Sequence, residues 1–391
     1  MAERVHDVVL FGATGFTGGL TAEYLARHAP GDCRWALAGR NLAKLENVRA
    51  RLATIDPALS NLPLLQADAA DAAALRSIAQ DTRIVATTVG PYITHGEPLV
   101  VACAESGTDY VDLTGESEFV DTMYLRHDAT ARRTGARIIH ACGFDSIPHD
   151  LGAYFTVLRL PPDAALHLRG YVQASARVSG GTFQTVVTGL SRGRAAVIAA
   201  RARRRAEPRS PERSVHAGAG APHRASVTGG WALPMPTLDP QVIGRSARAL
   251  PRYGPDFRYS HHVSLPGLTT AGGLVAGIAG IAVAAQIPPA RRALLARMSR
   301  GDGPSAEQRA RSWFRVTFVG EGGGRRVVTR VSGGDPGYDE TARMLAESAL
   351  ALAFDDLPET AGQVTTAQAM GDALLSRLQT AGLRFEVLEA S

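Results

Sequence analysis

The chain is predicted to be α/β: a doubly wound parallel sheet at the N-terminal end, joined to a second domain of α+β type. Three observations predict this. Apolar runs of strand length alternate six times with helical patterns between Val5 and Cys142, an order that builds a parallel sheet covered on both faces. A G-x-x-G-x-x-G run, Gly12, Gly15 and Gly18, stands between the first of those strands and its helix. At 391 residues the chain also exceeds what one core comfortably fills. The expected boundaries are 1–150 for the parallel-sheet domain and 151–335 for the second domain. C-terminal helices over 336–391 should pack back on the first.

The elements follow in order. VHDVVLF (5–11) is a strand leading to a helix from Phe16 to His28. RWALA (34–38) is the second strand, followed by a helix through Leu45 and Leu52, and LPLLQ (62–66) is the third. DAAALRSIA (71–79) reads as a helix, RIVATTV (83–89) as a strand and EPLVVACAESG (97–107) as a helix. YVDL (110–113) and ARIIHAC (136–142) are two further strands around a helix near 117–134.

In that setting the glycines take on distinct roles. Gly12 permits the tight turn off the strand and Gly15 lets backbone amides approach a pyrophosphate. Gly18 lets the helix pack close to the sheet. Thr14, Phe16 and Thr17 complete the turn. This is the pattern of a Rossmann-type dinucleotide site, and its context makes it far stronger than a bare glycine pattern; the plain alternative is a structural turn without nucleotide. The second strand ends in AGRNLAK, with Arg40, Asn41 and Lys44 where a ribose-binding acid would stand. A guanidinium pairs with a 2′-phosphate and a carboxylate repels it, so NADPH is expected rather than NADH. The alternative for Arg40 and Lys44 is an ordinary solvated helix start. Asp68, ending the third strand, is placed for the adenine. Val89, Gly90, Pro91 and Tyr92 end the fourth strand beside the nicotinamide, and Gly115 lies in the next strand-end loop.

Composition excludes several classes. With 45% hydrophobic and 20% charged residues the chain is globular. Its start, MAERVHDVVLFG, carries charges where a signal peptide would need an unbroken apolar run. Cys33, Cys103 and Cys142 form no C-x-x-C pair, so no disulfide framework and no metal site are expected. A reducing cytoplasm fits. Lys44 is the sole lysine, a bias of GC-rich bacterial genomes. Nine arginines against Glu207 and Glu212 give the stretch Ser191–Ala225 a charge of +7, leaving −2 for the remainder of a +5 chain. The basic charge therefore belongs to one segment, and no nucleic-acid motif accompanies it.

Beyond residue 150, HLRGYVQAS (167–175) reads as a strand, and GGTFQTVVTGL opens a helix with Thr182 as an early cap. WFRVTFVGEGGGRRVVTRVSG (313–333) is a hairpin with a Gly-rich turn. GYDETARMLAESALALAF is a helix with Met344, Leu345, Ala349 and Leu352 facing inward. The Arg-rich stretch 201–225 reads as an exposed loop. Between Val263 and Ile287 there is no charged residue over 25 positions. Its Gly273–Gly277 spacing suits close helix packing, so a buried or homodimer-interface helix is expected; peripheral membrane contact and a true span are the alternatives.

FGATGFTG, AGRN, VGPYITHGEPLVVACAESGTDYVDLTGE (89–116) and ACGFDSIPHDLG (141–152) together resemble the saccharopine dehydrogenase-like oxidoreductases. Within them the chain is most similar to the trans-acting enoyl reductases of polyketide lipid synthesis. The resemblance continues through SGGTFQT (179–185), LDPQVIGRSA (238–247), GDGPSAEQR (301–309) and GGDPGYDETARMLAESALAL (333–352); the Arg-rich stretch departs from it. It implies an NADPH-binding Rossmann domain, a sheet-containing second domain, and reduction of a carrier-bound enoyl thioester for a synthase lacking that step. An acyl carrier protein or polyketide synthase is then the expected partner, and acidic carriers would be steered by arginines.

For such chemistry hydride must reach the β-carbon, donors must hold the enolate oxygen, and a proton must reach the α-carbon. Tyr92 is a candidate proton donor; its alternative is a phenol packed at the cofactor edge. Ser146 could donate to the thioester oxygen and Asp145 could orient it; the alternative is that both merely fix the crossover between domains. Cys142 reads as packing and His149 as a turn residue. Arg245, Tyr253 and Tyr259 could line an acyl site. Two other functions remain: an imine or carbonyl reductase of the saccharopine type, and a non-catalytic NADPH-binding scaffold.

Overall fold

The computed structural model describes residues 4–175, 180–208, 212–297 and 303–391. Parts of the stretches 179–185 and 301–309 lie outside the described residues, as does the Thr182 side chain with its expected cap. The chain divides into two units, and the first is chiefly Met1–Phe144 with Tyr338–Leu378.

The first unit begins β1 (His6–Phe11), α1 (Phe16–His28), β2 (Trp35–Gly39), α2 (Leu42–Ala53), β3 (Leu64–Gln66) and α3 (Ala72–Asp81). It continues β4 (Thr82–Thr87), α4 (Tyr92–His95), α5 (Glu97–Ser106), β5 (Asp109–Asp112), α6 (Ser117–Thr134) and β6 (Arg137–Ile139). The strands pair in the order β6-β5-β4-β1-β2-β3, every pair parallel. Val8, Val9 and Leu10 of β1 have no exposed surface, which is why β1 reads as an apolar run instead of alternating. Local chemistry sets the helix ends. The Asp71 carboxylate caps α3 by accepting from the amides of Ala73 and Ala74. Gly107 at φ +68 ends α5 in the left-handed conformation that glycine adopts freely.

The second unit is chiefly Asp145–Arg300 and Pro304–Gly337, with Gln379–Ser391. It opens with α7 (Ile147–Val157), β7 (Leu166–Ser175), α8 (Gly180–Ser191), α9 (Gly193–Ala206), β8 (Ser214–Gly218), β9 (His223–Ala225) and β10 (Gly230–Pro234). Then come α10 (Asp239–Ala249), β11 (Asp256–Leu265), α11 (Leu268–Gln286), α12 (Pro288–Arg297), α13 (Ala306–Ala310), β12 (Trp313–Gly322) and β13 (Arg325–Gly333). The helix α7 lies close on the sheet at Gly152, where a Cβ would fall 2.3 Å from the Phe318 ring. The Ser246 hydroxyl of α10 donates to the Asp150 carboxylate of α7 at 2.6 Å, fixing the two helices to one another.

The chain then completes both units with α14 (Asp339–Phe354), β14 (Gly362–Val364), α15 (Thr366–Ala369), α16 (Gly371–Thr380) and β15 (Arg384–Ala390). In the first unit β14 adds a parallel strand beside β6. The Met344, Leu345, Ala349 and Leu352 face of α14 is buried. The last segment is not helical throughout: β15 pairs antiparallel with β13. It closes one edge of an eight-stranded mixed sheet ordered β15-β13-β12-β7-β11-β10-β9, with β8 also on β11.

Two expectations fail here: the exposed loop at 201–225, and burial of the apolar segment within its own chain. Most of the described residues of the Arg-rich stretch are in helix or strand, while 209–211 lie outside the described residues. Its first part is α9 and its later part supplies β8 and β9. Ala and Arg are good helix formers, and Arg203 is buried against Glu207 four residues on, which also holds Arg245 at 3.0 Å. The apolar segment does form a helix, α11, but within this chain only Ala271 and Ala285 of it are buried. No neighbouring atom lies within 4 Å of a Cβ built on Gly273 or Gly277, so the small-residue spacing has no packing partner among the described residues.

Candidate functional site: a dinucleotide turn and two sets of buried carboxylates

The turn after β1 is shaped by steric exclusion. Gly12 sits at φ +94, and a Cβ there would meet Thr88 Oγ1 and Val89 Cγ2 at 2.7 Å. A Cβ on Gly18 would lie 2.2 Å from the Gly12 carbonyl oxygen. The Gly15 amide donates to that same carbonyl at 3.0 Å, and Gly15 is the N-cap of α1. No side chain caps α1, so the amides of its first turn, which have no intrahelical acceptor, face the mouth of the turn. Thr14 and Gly15 are exposed there, with Phe16 and Thr17 half-buried. Glycine cradle, uncapped helix start and helix dipole together fit a dinucleotide pyrophosphate.

At the ends of β2 and β3 the structure places Arg40, Asn41 and Lys44 on the surface with Asp68. Asn41 Oδ1 caps α2 by accepting from the Lys44 amide at 2.9 Å, which leaves the two cationic side chains as the local charge. Asp68 accepts from the Ala70 amide at 2.9 Å and so stabilises its own turn.

The rim from β4 to β6 is organised by two carboxylates that sequence reasoning did not single out. Asp112, at the end of β5, has no exposed surface. Its Oδ1 accepts from the amides of Thr114 (3.0 Å) and Ala141 (2.9 Å), while Oδ2 accepts from the Tyr110 hydroxyl at 3.0 Å and lies 2.7 Å from His140 Nδ1. Glu116 reaches back to the preceding loop and accepts from the amides of Tyr92 (2.9 Å) and Ile93 (2.8 Å). Burial pushes its carboxyl above the usual range, and those two amides work against the rise. Val89, Gly90, Pro91 and Gly115 are thus held in loops pinned to one another.

Tyr92 does not match the proton-donor expectation. It is buried; its hydroxyl donates to the Thr87 carbonyl and accepts from the Leu113 amide, both at 3.1 Å. Burial, reinforced by the charge of Asp112, pushes the phenol well above its ordinary value. A hydroxyl with both roles spent on backbone, and that weakly acidic, is a strut between strand-end loops.

The second unit gathers a different set. Asp239 opens α10, His149 lies in the first turn of α7 and His261 is on β11, all three essentially without exposed surface. His149 Nε2 is 3.6 Å and His261 Nε2 3.4 Å from the Asp239 carboxylate. The Thr237 hydroxyl donates to Asp239, and the Tyr259 hydroxyl lies 2.6 Å from His261 Nδ1. Burial works to raise the Asp239 carboxyl, but His149, His261 and Thr237 outweigh it and hold it below the ordinary range. The ligand atoms lie within 4.8 Å of one another and are of types that accept divalent cations. The Thr237 hydroxyl and the α10 N-terminus already direct positive charge at Asp239, which is the surrounding of a carboxylate held between two imidazoles.

Asp145 stands beside this group. It retains some exposure as a residue, yet its carboxyl is enclosed; burial first, and the Asp239 charge second, push it up to about 7. Ser146 has no exposed surface, and its hydroxyl has no hydrogen-bond partner among the described residues. Tyr253 and Tyr259 are interior and Arg245 is paired with Glu207, so the expected acyl lining is not formed by them.

With the geometry established, relatives can be compared. The saccharopine dehydrogenase NADP-binding domain matches residues 8–139, the β1-to-β6 sheet with its glycine turn. A trans-acting enoyl reductase of Mycobacterium tuberculosis is 38% identical, covering 98% of this chain and 97% of its own. One from Mycobacterium leprae is 37% identical, with 97% of each chain covered. Among solved structures, saccharopine dehydrogenase (L-Glu forming) of Saccharomyces cerevisiae matches with a TM-score of 0.55 over 98% of this chain and all of that one. Its sequence is 12% identical, so the likeness is one of fold. From this identity over nearly its whole length, and from its NADP-binding domain, the chain belongs to the trans-acting enoyl reductase family of saccharopine dehydrogenase-like oxidoreductases.

Proposed function

We propose that the chain is an NADPH-dependent trans-acting enoyl reductase. Its substrate is an α,β-unsaturated thioester presented on a carrier, in polyketide or lipid synthesis. The observation that carries the reading is the pairing of a glycine-cradled NADP turn with near-full-length similarity to enoyl reductases. NADPH, when bound, supplies a hydride to the substrate β-carbon. Gly12, Gly15 and Gly18 admit the pyrophosphate to the backbone amides, and Arg40 with Lys44 meets the 2′-phosphate. Glu116 and Asp112 hold the loops Val89–Tyr92 and Leu113–Glu116 in fixed conformations.

The chain's own proton chemistry is assigned to Asp145. Reduction needs one proton at the α-carbon for each hydride at the β-carbon. A carboxyl pushed up to about 7 is substantially protonated at neutral pH, which suits a general acid. Asp239 supports the assignment, because a neighbour kept ionised by His149 and His261 makes a second negative charge at Asp145 unfavourable. Asp145 then regains its proton before the next turnover.

The test is NADPH oxidation with a crotonyl-type thioester, set against an amino acid plus a keto acid. Turnover with the thioester alone supports the reading. Turnover only with the imine-forming pair would move the enzyme to the saccharopine-type reaction. NADPH binding with silence in both assays would make it a scaffold.

A further inference from the structure

Two long helices of this chain have opposite surroundings. Helix α14 carries Glu340, Arg343 and Glu347, yet nearly every residue from Ala342 to Ala353 is buried. Helix α11 carries no charge at all, yet every residue from Gly272 to Gly280 is exposed. Val275 is 56% exposed and Val283 64%. A surface helix in water draws its stability from burying one apolar face. Helix α11 buries two alanines, and contains Gly272, Gly273, Gly277 and Gly280, the poorest helix formers after proline. A helix apolar all round belongs in a protein interior or in lipid, and this one is not in the interior of its own chain. Neighbouring α8 and α9 add exposed Val186, Val197 and Ile198 to the apolar surface of the unit.

We propose that α11 beds into the headgroup–acyl boundary of an anionic membrane, with the exposed arginines of α9 and α12 meeting the lipid headgroups. Arg194, Arg201, Arg204 and Arg205 on α9 and Arg292 on α12 are exposed, and each arginine near an anionic surface adds attraction. The helix lies on the membrane and does not span it. Strands β11 before it and β12 after it belong to one sheet, so both ends start and finish on one side. To cross back, the chain between Ile287 and Ser312 would have to carry Arg291, Arg292, Arg297, Arg300, Arg309 and Arg311 through hydrocarbon. A second copy of the chain is a poorer occupant. One partner helix covers one face, whereas α11 is exposed at every position from Gly272 to Gly280, and two-fold pairing would set basic surface against basic surface. The inference is independent of the reaction assigned above.

The test is co-sedimentation of the full-length protein with vesicles of phosphatidylcholine, with and without phosphatidylglycerol. The protein is expected to pellet with the anionic vesicles, more weakly with neutral ones, and less as salt is raised. Val275→Asp with Ile278→Asp should lower the bound fraction at least tenfold while NADPH binding is unchanged, which shows that the fold survives. Arg204→Gln with Arg205→Gln should lose only the phosphatidylglycerol-dependent part, roughly fivefold per arginine. Protein that stays in the supernatant with both vesicle types overturns the proposal. So does a vesicle-indifferent dimer that Val275→Asp with Ile278→Asp converts to a monomer, since that would make α11 a subunit interface.

Discussion

Each unit sets two acidic side chains close together, Asp112 with Glu116 in the first and Asp145 with Asp239 in the second, and the two pairs are treated in opposite ways. In the first unit Asp112 and Glu116 are met by donors: backbone amides on both, and the Tyr110 hydroxyl on Asp112, and each ties one strand-end loop to another. In the second, Asp239 is held ionised by two imidazoles while Asp145, beside it, is driven up to about 7. The first arrangement suits rigidity, because each carboxylate accepts from the backbone of a second loop. The second suits chemistry, because burial first and the charge of Asp239 second push the Asp145 carboxyl up to about 7. Burial raises Glu116 and Asp145 alike; what differs is that amide donors work against the rise at Glu116, while the charge of Asp239 adds to it at Asp145.

The largest expected effects fall on the structural pair. Asp112→Ala would strand the Thr114 and Ala141 amides and the Tyr110 hydroxyl in the interior, and is expected to cost about 3–5 kcal/mol by urea unfolding. Loss of activity without that loss of stability would mean that Asp112 does chemistry. Tyr92→Phe should cost about 1–3 kcal/mol, since the Leu113 amide loses its acceptor, with kcat kept within about twofold; a fall of a hundredfold or more would restore Tyr92 as the proton donor. At the exposed rim, Arg40→Ala should weaken NADPH binding by about tenfold or more while leaving NADH untouched, measured by fluorescence titration. An equal effect on both cofactors would mean that Arg40 does not meet the 2′-phosphate.

The smallest expected effect falls on Asp145. Asp145 is protonated more readily folded than unfolded, so its ionisation costs stability progressively as pH rises from the ordinary carboxylate range through about 7. Asp145→Asn has no charge to lose. Its Tm should exceed that of the native protein at pH 8, and the gap should close near pH 4. A gap that stayed constant with pH would show that Asp145 titrates as an ordinary carboxylate.

The parallel sheet was legible because its strands are covered on both faces and read as apolar runs: VVLF, WALA and IVAT coincide with β1, β2 and β4. The glycine turn was legible because its constraint is local. Asp112 and Glu116 left only a faint signal, an acid ending a short strand and another four residues on. The group around Asp239 left none, since His149, Asp239 and His261 arrive from three elements and only the fold brings them together. Composition misled at residues 201–225, where the Arg203–Glu207 spacing of four was the better guide to a helix. For α11 the sequence predicted the helix, but its surroundings are not written in its own residues.

The most direct test is the pH dependence of kcat for NADPH-dependent reduction of an enoyl thioester, native protein against Asp145→Asn, with NADPH affinity as the control. The native rate should fall as pH rises through about 7. The variant should bind NADPH unchanged, react about a hundred to ten thousand times more slowly and show no such limb. A variant that keeps the native rate and the native pH profile would contradict the assignment of the proton to Asp145.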